Sequence, residues 1–272
     1  MAGIDGALGE GWVRTLALDA AFDDPWVTSA VGWAVEGLAG AVVVDVGSGS
    51  GGAARAFAAR PEVGVVVAVD RDTRLLELVG AAAHKAHGVV GNLPVRAGAA
   101  DVVWASGVVH HVPDQQAAVH ELAALLRPGG RLALVEGGLP LRCLPHDPGI
   151  GRPGLEARLD GARARWFEDL RTELGGPPLP YGWPAALAQA GLVDVRTRSY
   201  IAEATSPLDE VGRRVARRHL ESARDELGDR LDPDDRAAVA RLLDPDDPQG
   251  VDRRDDLTVT AVRTVQVGRL PG

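Results

Sequence analysis

Between residues 42 and 136 the chain alternates short, Val-rich apolar runs with longer stretches rich in Ala and Leu. The runs are VVVDV (42–46), VVVAV (65–69), DVVWAS (101–106) and RLALVE (131–136). Each is nearly continuously apolar, as strands covered on both faces must be. A weaker run, GVV, sits at 88–90, and helical stretches are expected at 52–60, 73–86 and 114–127. This alternation predicts an α/β fold with a doubly wound parallel sheet. Upstream, DDPWVTSAVGWAVEGLAG carries an Asp-Pro signal for a helix start and ends at Gly40.

After residue 136 the pattern changes. Residues 137–153 are dense in Pro and Gly and read as loop, followed by a helix at 154–174. A short helix then runs into a strand near 192–201, a charged helical segment covers 207–243, and an alternating strand covers 257–267. Two LDPDD turns, at 231 and 243, bracket the second half of the charged segment. They are expected to cap and stop a helix, since a calcium loop spaces its ligands over twelve residues around a central Gly.

Composition narrows the function classes. The chain has 272 residues, 46% apolar and 25% charged, with a formal net charge of −9. The acidic balance and the absence of a basic stripe argue against nucleic acid. With one cysteine, Cys143, no intrachain disulfide forms and no Cys-based zinc site is expected; no metal is predicted. Neither a signal peptide nor an 18-residue apolar span is read, so the expected setting is cytoplasmic, away from membranes.

The loop GSGSGG (47–52) follows the first strand. Its glycines let backbone N–H groups approach a ligand, and both dinucleotides and S-adenosylmethionine use such a turn. Glycine spacing does not separate them. Asp45 does: its carboxylate repels a pyrophosphate and favours the ammonium and sulfonium groups of S-adenosylmethionine. The helix after the loop is expected to take the carboxylate of that cofactor. Asp70, ending the second strand, lies at the spacing of a residue that accepts hydrogen bonds from ribose hydroxyls. Asp72 is better placed to cap the following helix.

VVVDVGSGSGG, VVVAVDRD, LPVRAGAADVVWASGVVHHVPD and LAALLRPGGRLALVE resemble, in order, the motifs of class I S-adenosylmethionine-dependent methyltransferases. The resemblance is closest to the small-molecule branch with His-His after the fourth strand, and it covers about residues 40–136. It implies a Rossmann-like seven-stranded sheet of order 3-2-1-4-5-7-6 with strand 7 antiparallel. Residues 192–201 and 257–267 would be strands 6 and 7, with helical additions at the N-terminus and between strands 5–6 and 6–7. The implied organisation is a helical cap or lid at 1–40 and a methyltransferase domain at 41–272. Within that domain lie a cofactor core (41–136), a substrate-side insertion (137–190) and C-terminal strands with a helical insertion (191–272). The implied cofactor contacts are Asp45, Gly47, Ser48, Gly49, Gly51, Asp70, Arg71, Asn92, Leu93 and Ser106. Asn92 stands where the family usually has Asp. Either its side-chain oxygen accepts from the adenine amino group, or backbone and apolar contacts from Leu93 hold the ring.

With strand order 3-2-1-4-5 the crevice lies between strands 1 and 4, where GSGSGG meets SGVVHHVPD. His110 and His111 are therefore the catalytic candidates, His111 first, as bases for a hydroxyl or amine nucleophile. Packing or capping is the structural alternative for either. His84 and His87 are expected at the surface of a charged helix. Trp26, Trp166 and Tyr181 are substrate-pocket candidates, against an alternative in which they bury the cap. Arg163, Arg165 and His146 are weaker ones.

The expected function is methyl transfer to a small organic acceptor, with oxygen the favoured nucleophile and S-adenosylhomocysteine as product. Two alternatives stay open, an NAD(P)-dependent oxidoreductase and a non-catalytic cofactor-binding module. The 207–243 segment is a candidate homodimer contact.

Overall fold

A computed structural model describes residues 10–272. Seven strands form one sheet of order β3-β2-β1-β4-β5-β7-β6. They are β1 (Ala41–Val46), β2 (Val63–Asp70), β3 (His84–His87), β4 (Ala100–Ser106), β5 (Leu126–Arg142), β6 (Val193–Ala204) and β7 (Val259–Arg269). Parallel pairs join β1 to β2 and β4, β2 to β3, and β4 to β5. The last strand runs against its neighbours. Gly129 N–H donates to Leu270 O and Leu270 N–H donates to Gly130 O, so the end of β7 lies beside the start of β5. The sheet is therefore the one expected, antiparallel strand included.

Two compact units share the described residues: 10–137, 176–200 and 263–272 in the first, and 138–175 with 201–262 in the second. The first unit holds α1 (Glu10–Val35), α2 (Gly52–Ala58), α3 (Thr73–Leu78), α4 (Gln115–Ala124) and α6 (Trp183–Gln189). Its core stacks Val44, Val46, Val103, Leu132 and Leu134 of the strands on Val119 and Leu122 of α4. Their near-total burial explains why these strands read as continuous apolar runs: each sheet face has helices against it.

The second unit holds α5 (Leu155–Leu174), α7 (Glu210–Leu227) and α8 (Pro233–Leu243). Leu159, Ala162, Val215, Leu220, Val239 and Leu242 supply its apolar interior. Arg158 donates from Nε and Nη2 to the two oxygens of buried Asp235 at 2.7 and 2.8 Å. The two LDPDD turns act as expected. Asp232 caps α8, accepting from Asp235 N–H at 2.8 Å, and Asp244 is its C-cap.

Several local expectations change: β5 runs on to Arg142, into the stretch expected as loop from 137, and the weak run GVV at 88–90 follows β3 instead of forming it. Pro25 does not begin a helix; it lies inside α1, which starts by Glu10. The first nine residues of the 1–40 helical cap lie outside the described residues. The helix expected over 73–86 ends at Leu78, and Gly80 turns the chain with φ +71° into β3. His84 and His87 thus sit on an edge strand, where His87 Nε2 lies 3.1 Å from Arg71 O. Among the described residues no helix is long and apolar enough to cross a membrane.

Candidate active site

The site is set by strand ends. Val46 of β1 pairs in register with Val69 of β2 and Ala105 of β4, so three strands finish at one level. The loops that follow them meet there. Gly47 and Ser48 donate N–H to Val69 O at 2.8 and 3.0 Å, folding the glycine loop back across the end of β2. Gly47 has φ +67°, and a Cβ there would lie 2.3 Å from Val108 Cγ2. No side chain fits, and that close approach packs the glycine loop against SGVVHHVPD. Gly49 has φ +53° with no atom within 4 Å of a Cβ position, so its backbone lies open to a ligand.

Asp45 is 2% exposed, and its Oδ2 has no hydrogen-bond partner among the described residues. Burial, then the neighbouring Asp70 carboxylate, raises its pKa from 3.8 to about 7, against a smaller lowering by the Ala54 N–H. A buried carboxylate oxygen without a donor beside an open glycine turn fits an ammonium or sulfonium and opposes a diphosphate. Ser48 Oγ is buried and unpartnered as well.

Asp70 accepts from Gly49 N–H through Oδ2 and from Asp72 N–H through Oδ1, each at 2.9 Å. These bonds fix the carboxylate at the loop, and each oxygen keeps a second lone pair for a ribose hydroxyl. Helix capping falls to Asp72, which accepts from Arg74 N–H at 2.9 Å. Arg71 is exposed beside it, and its charge acts on His111. Ser106 is half-buried at the end of β4. Asn92 is exposed, its N–H donating to Val89 O at 2.9 Å, and Leu93 packs on the core cluster. Gly91 N–H donates to Glu121 Oε2 at 2.5 Å, tying that turn to α4.

The loop after β4 makes a turn of 3-10 helix over Val109–His111. Glu136 organises it from the far end of the core segment of β5. Its Oε1 accepts from Val108 and Val109 N–H at 2.9 and 2.7 Å, and its Oε2 lies 2.7 Å from His110 Nδ1. Glu136 is 4% exposed. Sequence reasoning missed this residue, because a carboxylate closing the run RLALVE looks like any strand end. The rings of His110 and His111 lie 3.9 Å apart, tilted by 44°. Protein atoms crowding His111, then His110, lower its pKa from 6.5 to about 4, with Glu136 opposing and Arg71 assisting. His111 is therefore neutral at pH 7.

The fold brings Asp45, the glycine loop, Asp70, His110 and His111 together. Trp26 is buried on α1, donating from Nε1 to Asp23 Oδ1 at 2.6 Å. Tyr181 packs against the core of the first unit and donates to Gln116 Oε1 at 3.1 Å. Trp166 is half-buried on α5 in the second unit.

Residues 44–134 match the family model described as a methyltransferase domain. The 27-O-demethylrifamycin SV methyltransferase of Amycolatopsis mediterranei (strain S699) is 33% identical over 105 residues, which are 35% of this chain and 38% of that one. The chloroplastic tocopherol O-methyltransferase of Arabidopsis thaliana is 35% identical over 101 residues, 34% of this chain and 29% of that one. The chain thus spans only about a third of the length of these relatives. A chain from the complex between the Haloferax volcanii Trm112 methyltransferase activator and a methyltransferase shares the fold. It has TM-score 0.54 at 17% identity, covering 97% of this chain and 96% of that one.

Proposed function

We propose, for a chain that belongs to the class I S-adenosylmethionine-dependent methyltransferases, that it methylates a small organic acceptor at oxygen, with His110 as the base. The matched relatives named above act at oxygen, which favours that nucleophile. When bound, S-adenosylmethionine supplies a methyl group already activated for displacement.

This chain's own residues do the rest. Asp45 offers a buried negative oxygen to the positive end of the cofactor, Gly49 presents bare backbone, and Asp70 waits at the ribose level. Ser48, Gly51, Arg71, Leu93, Asn92 and Ser106 complete the proposed cofactor contacts. Alignment of donor and acceptor in such a crevice is worth roughly 7–11 kcal/mol.

Between the two histidines the choice turns on Glu136. A carboxylate at His110 Nδ1 favours the tautomer with N–H on that side, so Nε2 carries the lone pair and the ring holds its orientation. Burial and the neighbouring His110 ring oppose protonation of His111. Its role is to line the acceptor side next to His110.

The observation that carries this reading is the seating of Val108 on Gly47, which sets a carboxylate-backed histidine loop against the cofactor loop. The test is production of S-adenosylhomocysteine from a panel of phenols, alcohols and carboxylic acids. His110→Ala should lower turnover on hydroxyl acceptors about 10²–10⁴-fold, the range of a lost general base, with S-adenosylhomocysteine affinity unchanged. Turnover unaltered by this change on every accepted hydroxyl would remove His110 from the mechanism.

A further inference from the structure

The second unit encloses a group of side chains that methyl transfer does not use. Cys143 follows β5, Glu156 lies in the first turn of α5, and His219 is on α7. They are 3%, 6% and 8% exposed. One ligand atom from each lies within 4.8 Å of the others. Glu156 Oε1 accepts from Cys143 and Leu144 N–H at 2.7 and 2.8 Å, which fixes the carboxylate on the loop. Its other oxygen, Oε2, and His219 Nε2 are buried without a hydrogen-bond partner among the described residues.

Two orphaned polar atoms in one small interior space are costly, about 1–3 kcal/mol each, unless something satisfies both. A thiol, a carboxylate and an imidazole share one such partner. We propose that Cys143, Glu156 and His219 bind a single borderline-soft transition-metal dication, Zn²⁺ in the first instance, as a structural site of the second unit.

The chemistry balances. Cys143 releases its thiol proton to solvent, the ion sheds all but one of its waters, and thiolate plus carboxylate cancel the double charge, with neutral His219 as third ligand and the retained water completing the tetrahedron. Bond lengths of about 2.0–2.3 Å place tetrahedral ligands roughly 3.3–3.8 Å apart. Atoms up to 4.8 Å apart therefore need to close by up to about 1–1.5 Å. Three arginines face the cluster: Arg142 acts on Glu156, and Arg163 and Arg218 act on His219. They oppose an uncompensated cation but not a site whose own ligands neutralise it. A single cysteine excludes a Cys-rich zinc site, but not a mixed sulfur, oxygen and nitrogen one.

The whole chain is unfolded with chelator and refolded with one equivalent of Co²⁺, and in parallel with Zn²⁺ or Mg²⁺. Cys143 is the only cysteine, so a near-ultraviolet cobalt–thiolate charge-transfer band reports on this residue alone. The expected result is that band at one Co²⁺ per chain, its displacement by Zn²⁺ but not by Mg²⁺, and a higher Tm with Zn²⁺. Cys143→Ser should remove the band and weaken Zn²⁺ by at least about 100-fold, beyond the ~10–100-fold cost of losing an outer-shell partner. Should that variant fail to fold, the wild-type band and Tm still decide. A refolded chain with no thiolate band, or with Zn²⁺ binding that survives Cys143→Ser, overturns the site.

Discussion

Asp45→Asn tests the electrostatics of the cofactor loop without touching its shape. Asp45 is buried, and its pKa stands at about 7 against 3.8 when unfolded. The folded chain therefore binds a proton over that interval that the unfolded chain has lost. The sign follows: folding is unpenalised below about pH 4, loses stability as pH rises, and carries the full cost above pH 7. That rise from 3.8 to about 7 corresponds to about 4 kcal/mol. Asparagine has the same size and no charge to bury. Urea unfolding of both proteins at pH 5 and pH 8 gives the difference at each pH, which cancels all other titrations. The advantage of the variant should grow by about 3 kcal/mol between the two. The same substitution should weaken S-adenosylmethionine binding, because the ligand loses its counter-charge. In the wild type, binding should strengthen up to pH 7 and then level off, being about tenfold weaker at pH 6. A stability difference that does not change with pH would refute the reasoning.

Other substitutions test separate links. Gly47→Ala forces a side chain into a positive-φ turn and onto Val108; a loss of about 2–4 kcal/mol is expected by denaturant unfolding, partly restored by Val108→Ala. Glu136→Gln keeps an acceptor for Val108 and Val109 N–H but removes the charge behind His110. Turnover on hydroxyl acceptors should fall about 10²–10⁴-fold with cofactor affinity intact, as measured by S-adenosylhomocysteine release and calorimetry. Arg158→Ala leaves Asp235, 2% exposed, without its bidentate partner, and should destabilise the second unit by about 3 kcal/mol in thermal unfolding.

The sheet was legible because five of its strands carry long apolar or alternating runs and because turn residues punctuate them. β3 was not: HKAH is polar, and an edge strand needs only backbone pairing with β2, so its residues passed for the end of a helix. Pro25 misled in the opposite way, since Asp-Pro marks many helix starts while α1 continues through it. The glycine loop, Asp45 and Asp70 announce themselves by spacing to one another. Glu136 acts on His110 from 26 positions away, a relation that only the parallel pairing of β4 and β5 creates. Cys143 and Glu156 lie 13 positions apart and His219 comes 63 positions after Glu156, and nothing local to any of them signals the others. The preference for His111 over His110 rested on its position in the motif, whereas the hydrogen bond to Glu136 speaks for its neighbour.

Calorimetric titration of the wild-type chain at pH 8 with S-adenosylmethionine and, separately, NADH tests the central claim most directly. One site per chain for S-adenosylmethionine, weakened at least tenfold by Asp45→Asn, and no heat from NADH is the expected result. Binding of NADH at the glycine loop, or indifference to S-adenosylmethionine, would contradict the account.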